Sequence, residues 1–120
     1  MSELTPEDVF RLHPKIRWAA FSTEAGQVKF CQMRRGVKSY TPEEADRYFM
    51  QRGPTIMTVI SERLTPSGMA GRLESIILSF EKDSVFLTKL KDGYLAISVD
   101  RVDALPTFQE ISESIKALSA

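Results

Sequence analysis

The fold is decided by residues 73–99, which read LESIILSFEKDSVFLTKLKDGYLAISV. Three apolar segments of strand length follow one another here: Leu73 to Phe80, Val85 to Leu90 and Tyr94 to Val99. The connection before the last segment contains Asp92-Gly93, a pair that favours a tight hairpin turn. The stretch therefore predicts a meander of three antiparallel strands.

Apolar side chains occupy both faces of the first of these strands. Ile76 and Leu78 are expected to point one way, because side chains alternate along a strand. Leu73 and Ile77 are expected to point the other way. A sheet that is apolar on both faces must be covered on both sides, so helices are expected above and below it.

Two more strands are predicted upstream, Ile16 to Ser22 and Val28 to Gln32, on either side of a hairpin turn at Thr23 to Gly26. The segment Thr65 to Gly71 contains Pro, Ser and two Gly residues, and it is predicted to be a flexible joint.

Three helices are predicted from their N-terminal residues. Thr5-Pro6 and Thr41-Pro42 each place Thr at the N-cap and Pro at the first helical position, with acids following. Thr107 to Glu110 has the spacing of a capping box. The predicted order is α-β-β-α-β-β-β-α in one α/β (α+β) domain covering residues 1–120. The long second helix should cover one face of the sheet, and the two shorter helices the other.

The long helix, Pro42 to Leu64, carries two apolar stripes. We interpret the first stripe as the one that packs on the sheet; it comprises Ala45, Phe49, Ile56 and Ile60. The second stripe repeats at heptad spacing and comprises Met50, Met57 and Leu64. We interpret it as a protein interface, with core packing as the alternative, because Met fills gaps in cores. Gly53-Pro54 is expected to kink or restart the helix.

The first strand of the meander is the expected companion of this second stripe, provided that it lies at an edge of the sheet, since an unpaired edge invites strand addition. The predicted dimer or partner interface consists of Met50, Met57, Val59, Leu64, Ser75 and Ile77.

Several stretches resemble an uncharacterised family of small archaeal proteins: KIRWAA (15–20), Gly26, MRRGVK (33–38) and YFMQ (48–51). The element order resembles the roadblock / dynein light-chain superfamily, a relative of the longin and profilin-like folds. This resemblance implies a five-stranded antiparallel sheet between helices and a dimer formed through the central helix and the first meander strand. It also implies a platform for small GTPases or other protein partners, without enzymatic activity.

The composition argues against several other classes of protein. Sixteen basic and sixteen acidic residues give a formal net charge of zero, so no general attraction to nucleic acid is expected. No apolar run approaches the roughly 20 residues that span a bilayer, and the first residues do not resemble a signal peptide. We therefore expect a cytoplasmic protein that does not insert into membranes.

The sequence contains few residues that could act in catalysis or bind a metal. Cys31 and His13 are the single cysteine and histidine, and their positions do not suggest a catalytic pair. No metal or nucleotide motif is present, so no catalytic residue, metal or cofactor is predicted. A small enzyme with a reactive Cys31 is the weakest of three hypotheses.

Arg34, Arg35 and Lys38 form a basic cluster before the long helix. They are candidates for an anion contact near a helix N-terminus, and the alternative is a solvated loop partly neutralised by Glu43 and Glu44.

The leading hypothesis is a non-enzymatic, homodimeric interaction or scaffold module. The alternative is a small-molecule sensor domain with a pocket between the sheet and the helices.

Overall fold

The computed structural model describes residues 3–64, 71 and 73–118. Its elements are α1 (Pro6–Phe10), β1 (Trp18–Thr23), β2 (Val28–Met33), α2 (Glu43–Leu64), β3 (Ser75–Ser79), β4 (Asp83–Leu90), β5 (Gly93–Asp100) and α3 (Ala104–Leu118), with a 3-10 turn at Arg101–Asp103 before α3. The predicted element order is confirmed. The predicted joint, Thr65 to Gly71, lies outside the described residues apart from Gly71.

The five strands form one antiparallel sheet in the order β2-β1-β5-β4-β3. The hairpin β1–β2 therefore joins the meander through pairing of β1 with β5, for example Ala20 with Ala96. The three inner strands β1, β5 and β4 are rich in buried residues, and the central strand β5 is buried from Gly93 to Val99. The strands β2 and β3 lie at the two edges.

Helices cover both faces of the sheet, as predicted. On one face α1 and α3 pack against the sheet, with Phe108, Ile111 and Ile115 of α3 in a core shared with Leu95 and Ile97. On the other face α2 is the one helix that packs among residues 3–64, 71 and 73–118. Its core residues there contact Trp18, Ala20, Leu87, Tyr94 and Ala96 of the sheet. The alternation along β5 sends odd-numbered residues to the first face and even-numbered residues to the second.

The assignment of the two stripes on α2 was wrong. Met50 and Met57 are 0% and 3% exposed and pack on the sheet, together with buried Gly53 and Pro54 between them. Ile56, from the stripe predicted to be core, is 41% exposed. The helix is turned so that Gly53 faces the sheet, where a Cβ would lie 3.1 Å from Leu87 Cδ2. Since both stripes are apolar, the sequence pattern alone does not choose between them.

Pro54 does not interrupt α2, which runs as one helix from Glu43 to Leu64, so the expected restart at Gly53-Pro54 does not occur. The carbonyl of Pro54 accepts a hydrogen bond of 2.8 Å from the Thr58 hydroxyl. Burial of the proline ring against the sheet offsets the backbone donor that proline lacks.

The helix starts agree with the sequence in one case of three. Thr5 and Asp8 form a reciprocal capping box at α1. The helix α2 begins at Glu43, one residue later than predicted. The capping box predicted at Thr107 is wrong, because α3 begins at Ala104 and buries Thr107 within the helix. The proline that precedes Thr107 fits there, since the first turn of a helix has backbone N–H groups without intrahelical partners.

The prediction that the side chains of Leu73 and Ile77 point to the same face of the sheet is also wrong. Leu73 precedes β3, so the strand alternation does not reach it, and it packs with Ile76 on the α2 face. Ile77 lies opposite Phe86, whose side chain belongs to the core on the other face.

Candidate functional site

The first apolar stripe of α2, which consists of Ala45, Phe49, Ile56 and Ile60, begins beside β3. Ala45 and Phe49 line a cavity together with Leu78 of β3. Ile56 lies two helical turns further along the same flank, at a spacing of seven residues from Phe49. We call these four residues the β3-facing flank of α2.

The strand β3 is an edge strand, as its predicted interface role required. Within residues 3–64, 71 and 73–118 it pairs with β4 alone. Ile77 is 44% exposed on this strand. An edge strand offers unpaired N–H and C=O groups to a further strand.

The six predicted interface residues do not form one continuous surface. Val59 and Leu64 are 52% and 69% exposed on α2, while Met50 and Met57 lie beneath the helix in the core. The side chains of Ser75 and Ile77 point to the α1/α3 face of β3, because their partners in β4 are Thr88 and Phe86. The exposed part of the predicted interface thus falls into two groups, Ser75 and Ile77 on the strand and Val59 and Leu64 on the helix. The β3 edge lies between the two groups.

The predicted basic cluster is divided by the structure. The Arg34 guanidinium donates hydrogen bonds of 2.7, 2.8 and 2.7 Å to the carbonyls of Ile16, Phe10 and His13, so it fastens α1 and the following loop to the sheet. Arg35 and Lys38 are exposed. The charge of Arg34 is therefore engaged inside the fold, whereas the other two cations face solvent.

Cys31 and His13 lie on opposite faces of the sheet. Cys31 packs in the core under α2, and burial raises the pKa of its thiol, against a smaller opposing effect from the Trp18 indole. His13 is bonded through Nε2 to Glu110 of α3 at 2.7 Å, and its Nδ1 accepts a hydrogen bond from the Lys15 amide. The two side chains are thus separated by the sheet and cannot act as a nucleophile and its base.

No group of three or more His, Cys, Asp or Glu residues in the described part of the chain is placed to hold a metal ion. No described helix has the length and hydropathy needed to cross a membrane.

A cavity of about 470 Å³ lies between the start of α2, the end of β3 and the start of β4. We call it the α2 cleft. Its apolar walls include Trp18, Met33, Phe49, Leu78, Phe80 and Val85, and its polar lining includes Arg17, Tyr40, Asp46, Lys82 and Asp83. Sequence reasoning foresaw a pocket between sheet and helices but not these residues, which come from five separate stretches of the chain.

One wall of the α2 cleft is a network around Arg17. Its guanidinium lies 4.3 Å from the centre of the Tyr40 ring. It donates to the Lys38 carbonyl at 2.7 Å and lies 3.4 Å from the Asp100 carboxylate. The Tyr40 hydroxyl donates to the same carboxylate at 3.0 Å. The charges of Arg17 and Asp100 are therefore paired with each other.

The opposite lining carries two carboxyl groups. Burial raises the pKa of Asp46, against a hydrogen bond of 2.6 Å from the Thr41 hydroxyl, and the charge of Asp83 raises it further. Burial also raises the pKa of Asp83, although Arg17 lowers it in part. Two acids whose charged forms are disfavoured thus line one cavity, an arrangement more common at functional sites than elsewhere.

Trp18 completes the cleft at its base. Its side chain lies in the core under α2, and the residue is 5% exposed. The indole Nε1 is buried and has no hydrogen-bond acceptor at ordinary distance in the described part of the chain. Its effect on the Cys31 pKa reflects a weak contact with the thiol sulfur, which is a poor acceptor.

No protein-family model matches the chain, and no curated protein matches it in sequence. Solved structures do match. MglB of Myxococcus xanthus is 14% identical with a TM-score of 0.71, and the match covers 98% of this chain and 95% of that one. An MglB with a tetrameric arrangement is 13% identical with a TM-score of 0.68 over 94% and 83% of the two chains.

A roadblock/LC7 domain from Streptomyces avermitilis is 14% identical with a TM-score of 0.63, over 88% and 83% of the two chains. At these identities the similarity is one of fold. The chain therefore has the roadblock-like fold, a five-stranded antiparallel sheet with helices on both faces, as the resemblance in sequence implied.

Proposed function

We propose that the chain is a non-enzymatic protein-interaction module that forms a homodimer through β3 and the exposed residues of α2. The observation that carries this proposal is the edge of β3, which pairs with β4 alone in the part of the chain that the structure describes, together with exposed apolar residues on α2. Ile56, Val59 and Leu64 of that helix are 41%, 52% and 69% exposed. Apolar residues clustered on a surface mark interaction sites more often than single ones do.

In such a dimer the β3 strands of two chains pair, and one sheet continues across both. The β3-facing flank of α2 lies over this junction and becomes covered by the second copy. Ser75 and Ile77 contribute from the opposite face, and Met50 and Met57 support the helix from below. One structural neighbour has a tetrameric arrangement, so this fold also occurs in assemblies.

The partner of the dimer is proposed from the resemblance in sequence. A small GTPase or another regulatory protein would dock on the surface that dimerisation leaves free, in the cytoplasm. Exposed Arg35 and Lys38 are proposed as contacts for an anionic group of that partner. Kinship with the small archaeal family rests on the stretches at 15–20, 33–38 and 48–51.

Light scattering at tens of micromolar tests the dimer. The native chain is expected to have twice the mass of Ile56→Glu, because the new charge would lie in the junction. Gln51→Glu is the matched control: it introduces the same charge at an exposed position of α2 that lies about 140° around the helix from Ile56, on the side turned from β3. A native monomer, or equal dissociation by both variants, would contradict the proposal. Circular dichroism establishes that both variants are folded.

A second candidate function is a small-molecule sensor, and the α2 cleft is the observation that favours it. About 470 Å³ lies within the range of ligand pockets, and a mainly apolar lining with a few polar groups is typical of them. A ligand that occupies the cleft would raise the melting temperature in a concentration-dependent way.

A further inference from the structure

A second cavity, of about 280 Å³, adjoins the α2 cleft beside the first turn of α2. It is lined in part by Cys31 of β2, which does not line the α2 cleft, and we call it the Cys31 pocket. The two cavities share five lining residues: Trp18, Met33, Ser39, Thr41 and Asp46. Trp18 therefore lies where the two cavities meet.

The indole N–H of Trp18 is a hydrogen-bond donor without a strong acceptor. Trp18 is 5% exposed, and its Nε1 has no hydrogen-bond partner in the part of the chain that the structure describes. Burial raises the pKa of the Cys31 thiol, and the Trp18 indole opposes this effect, so the N–H edge of the ring is turned towards Cys31. Because sulfur is a weak acceptor, and a buried donor without a partner costs free energy, an oxygen acceptor in the Cys31 pocket would satisfy this N–H.

The walls around the indole disfavour a charged ligand. Burial raises the pKa of both Asp46 and Asp83, so charge is costly in this part of the cleft. An anion would meet these two carboxylates, and Arg17 is already paired with Asp100. A cation has no lone pair to accept a hydrogen bond from the indole N–H. The ligand that fits is therefore uncharged and carries an acceptor.

The rest of the α2 cleft fits an apolar body. Its lining includes Phe49, Leu78, Phe80 and Val85, and its volume of about 470 Å³ lies within the range of small-molecule pockets. In such pockets a few polar groups orient a ligand that is otherwise held by apolar contacts. An apolar chain that ends in an oxygen acceptor matches both parts of the site.

We propose that the α2 cleft and the Cys31 pocket together bind an uncharged apolar carbonyl compound, whose oxygen accepts a hydrogen bond from Trp18 Nε1. The apolar body lies in the α2 cleft against Phe49 and Leu78, and the carbonyl group lies beside Cys31. The inference rests on the sensor candidate, whose ligand class it names. It is independent of the dimer, which was assigned to the edge of β3 and to the exposed residues of α2.

Nuclear magnetic resonance tests the hydrogen bond directly. Trp18 is the single tryptophan of the chain, so an isotope-labelled sample gives one indole N–H signal. Methyl butyl ketone is expected to move the indole proton downfield, because its oxygen becomes the acceptor that Nε1 lacks among the described residues. The control is the methylene analogue, in which a CH2 group replaces the oxygen, and it should bind without that shift. No downfield shift with millimolar ketone, or an equal shift with the analogue, would overturn the proposal.

The variant Trp18→Phe tests the same contact through affinity. Titrations followed by the methyl signals of Leu78 and Val85 give the dissociation constants of the ketone and of its methylene analogue. The affinity of the ketone relative to the analogue is expected to fall at least about threefold in Trp18→Phe, which corresponds to the loss of one neutral hydrogen bond. An unchanged ratio in the folded variant would overturn the proposal.

A second variant locates the apolar body and leaves Trp18 in place. Ala45 is exposed and lines the α2 cleft, so Ala45→Phe places a ring at its mouth and is expected to weaken the ketone at least about threefold. Glu44→Phe is the matched control, because it adds the same ring at the neighbouring exposed position, which lines neither cavity. Native affinity in Ala45→Phe, or equal weakening by both variants, would overturn the assignment to the cleft.

The same measurements separate this inference from the functions proposed above. If the ketone and its analogue raise the melting temperature equally and the indole signal does not move, then the acceptor role is wrong and the sensor candidate stands. Light scattering on the same samples reports dimerisation independently of both.

Discussion

The two faces of the sheet are covered in different ways. On one face α1 and α3 close over the strands, and the apolar stripe of α3, Phe108, Ile111 and Ile115, is 1–4% exposed. On the other face α2 is the one helix among the described residues, and it buries Met50 and Met57 while Ile56 and Val59 remain 41% and 52% exposed. One helix that carries more apolar surface than its sheet can cover leaves room for a cleft and for a partner. The first face maintains the fold, and the proposed interface lies mainly on the second.

The largest expected effect separates the two stripes of α2. Met57→Glu is expected to lower the free energy of unfolding by more than about 4 kcal/mol, because it places an unpaired charge in the core. Val59→Glu, two residues further on the exposed side, should change the stability of the monomer by less than about 1 kcal/mol. Urea denaturation of both variants gives the comparison. A folded, stable Met57→Glu chain would mean that α2 packs through its other stripe.

The next effect compares the two faces directly with one substitution. We call the face under α1 and α3 the closed face and the face under α2 the open face. On the closed face, Ile111→Ala is expected to lower the free energy of unfolding by about 2–5 kcal/mol, because it truncates a side chain that is 1% exposed. Ile56→Ala, on the open face, should cost less than about 1 kcal/mol in the monomer. Both losses of stability are measured by urea denaturation at a protein concentration at which the chain is monomeric. Equal losses would mean that Ile56 is packed as completely as Ile111, which would contradict the difference between the two faces.

The smallest effect concerns the cleft. Burial raises the folded-state pKa of Asp46, so its charge opposes folding above that pKa, and the penalty is relieved as the pH falls through it. Asp46→Asn is therefore expected to stabilise the chain at pH 7 by no more than about 1 kcal/mol, since the group is partly solvated. The gain should shrink as the pH is lowered towards 4. Thermal denaturation as a function of pH measures it, and a gain that grows towards acid would contradict the assignment.

The closed face could be predicted well from the sequence, and the open face only in part. The stripe of α3 is a single run of apolar residues on a polar helix, so one orientation is available to it. The helix α2 has two apolar stripes, and the choice between them depends on Gly53, which lets the helix approach Leu87 closely. That contact joins residues far apart in the chain, and local periodicity does not contain it.

The residues that line the α2 cleft could not be predicted from local sequence patterns, for the same reason. Arg17, Tyr40 and Asp100 come from three different parts of the chain and meet because β1 pairs with β5. Thr107 illustrates the opposite error, in which a local motif was present but the preceding residues extended the helix. Tertiary packing decided both cases, as it commonly does where intrinsic preferences are weak.

The position of β3 at one edge, with β2 at the other, has a consequence for symmetry. Pairing of β3 with the β3 of a second copy is isologous, so it closes at two chains related by a twofold axis. Pairing of β3 with β2 would be heterologous and would continue without limit into a filament. Exposed Lys29 on β2 and the irregular register beside Phe21 and Ser22 make that edge a poor template. The unequal edges therefore favour a closed pair over an open polymer.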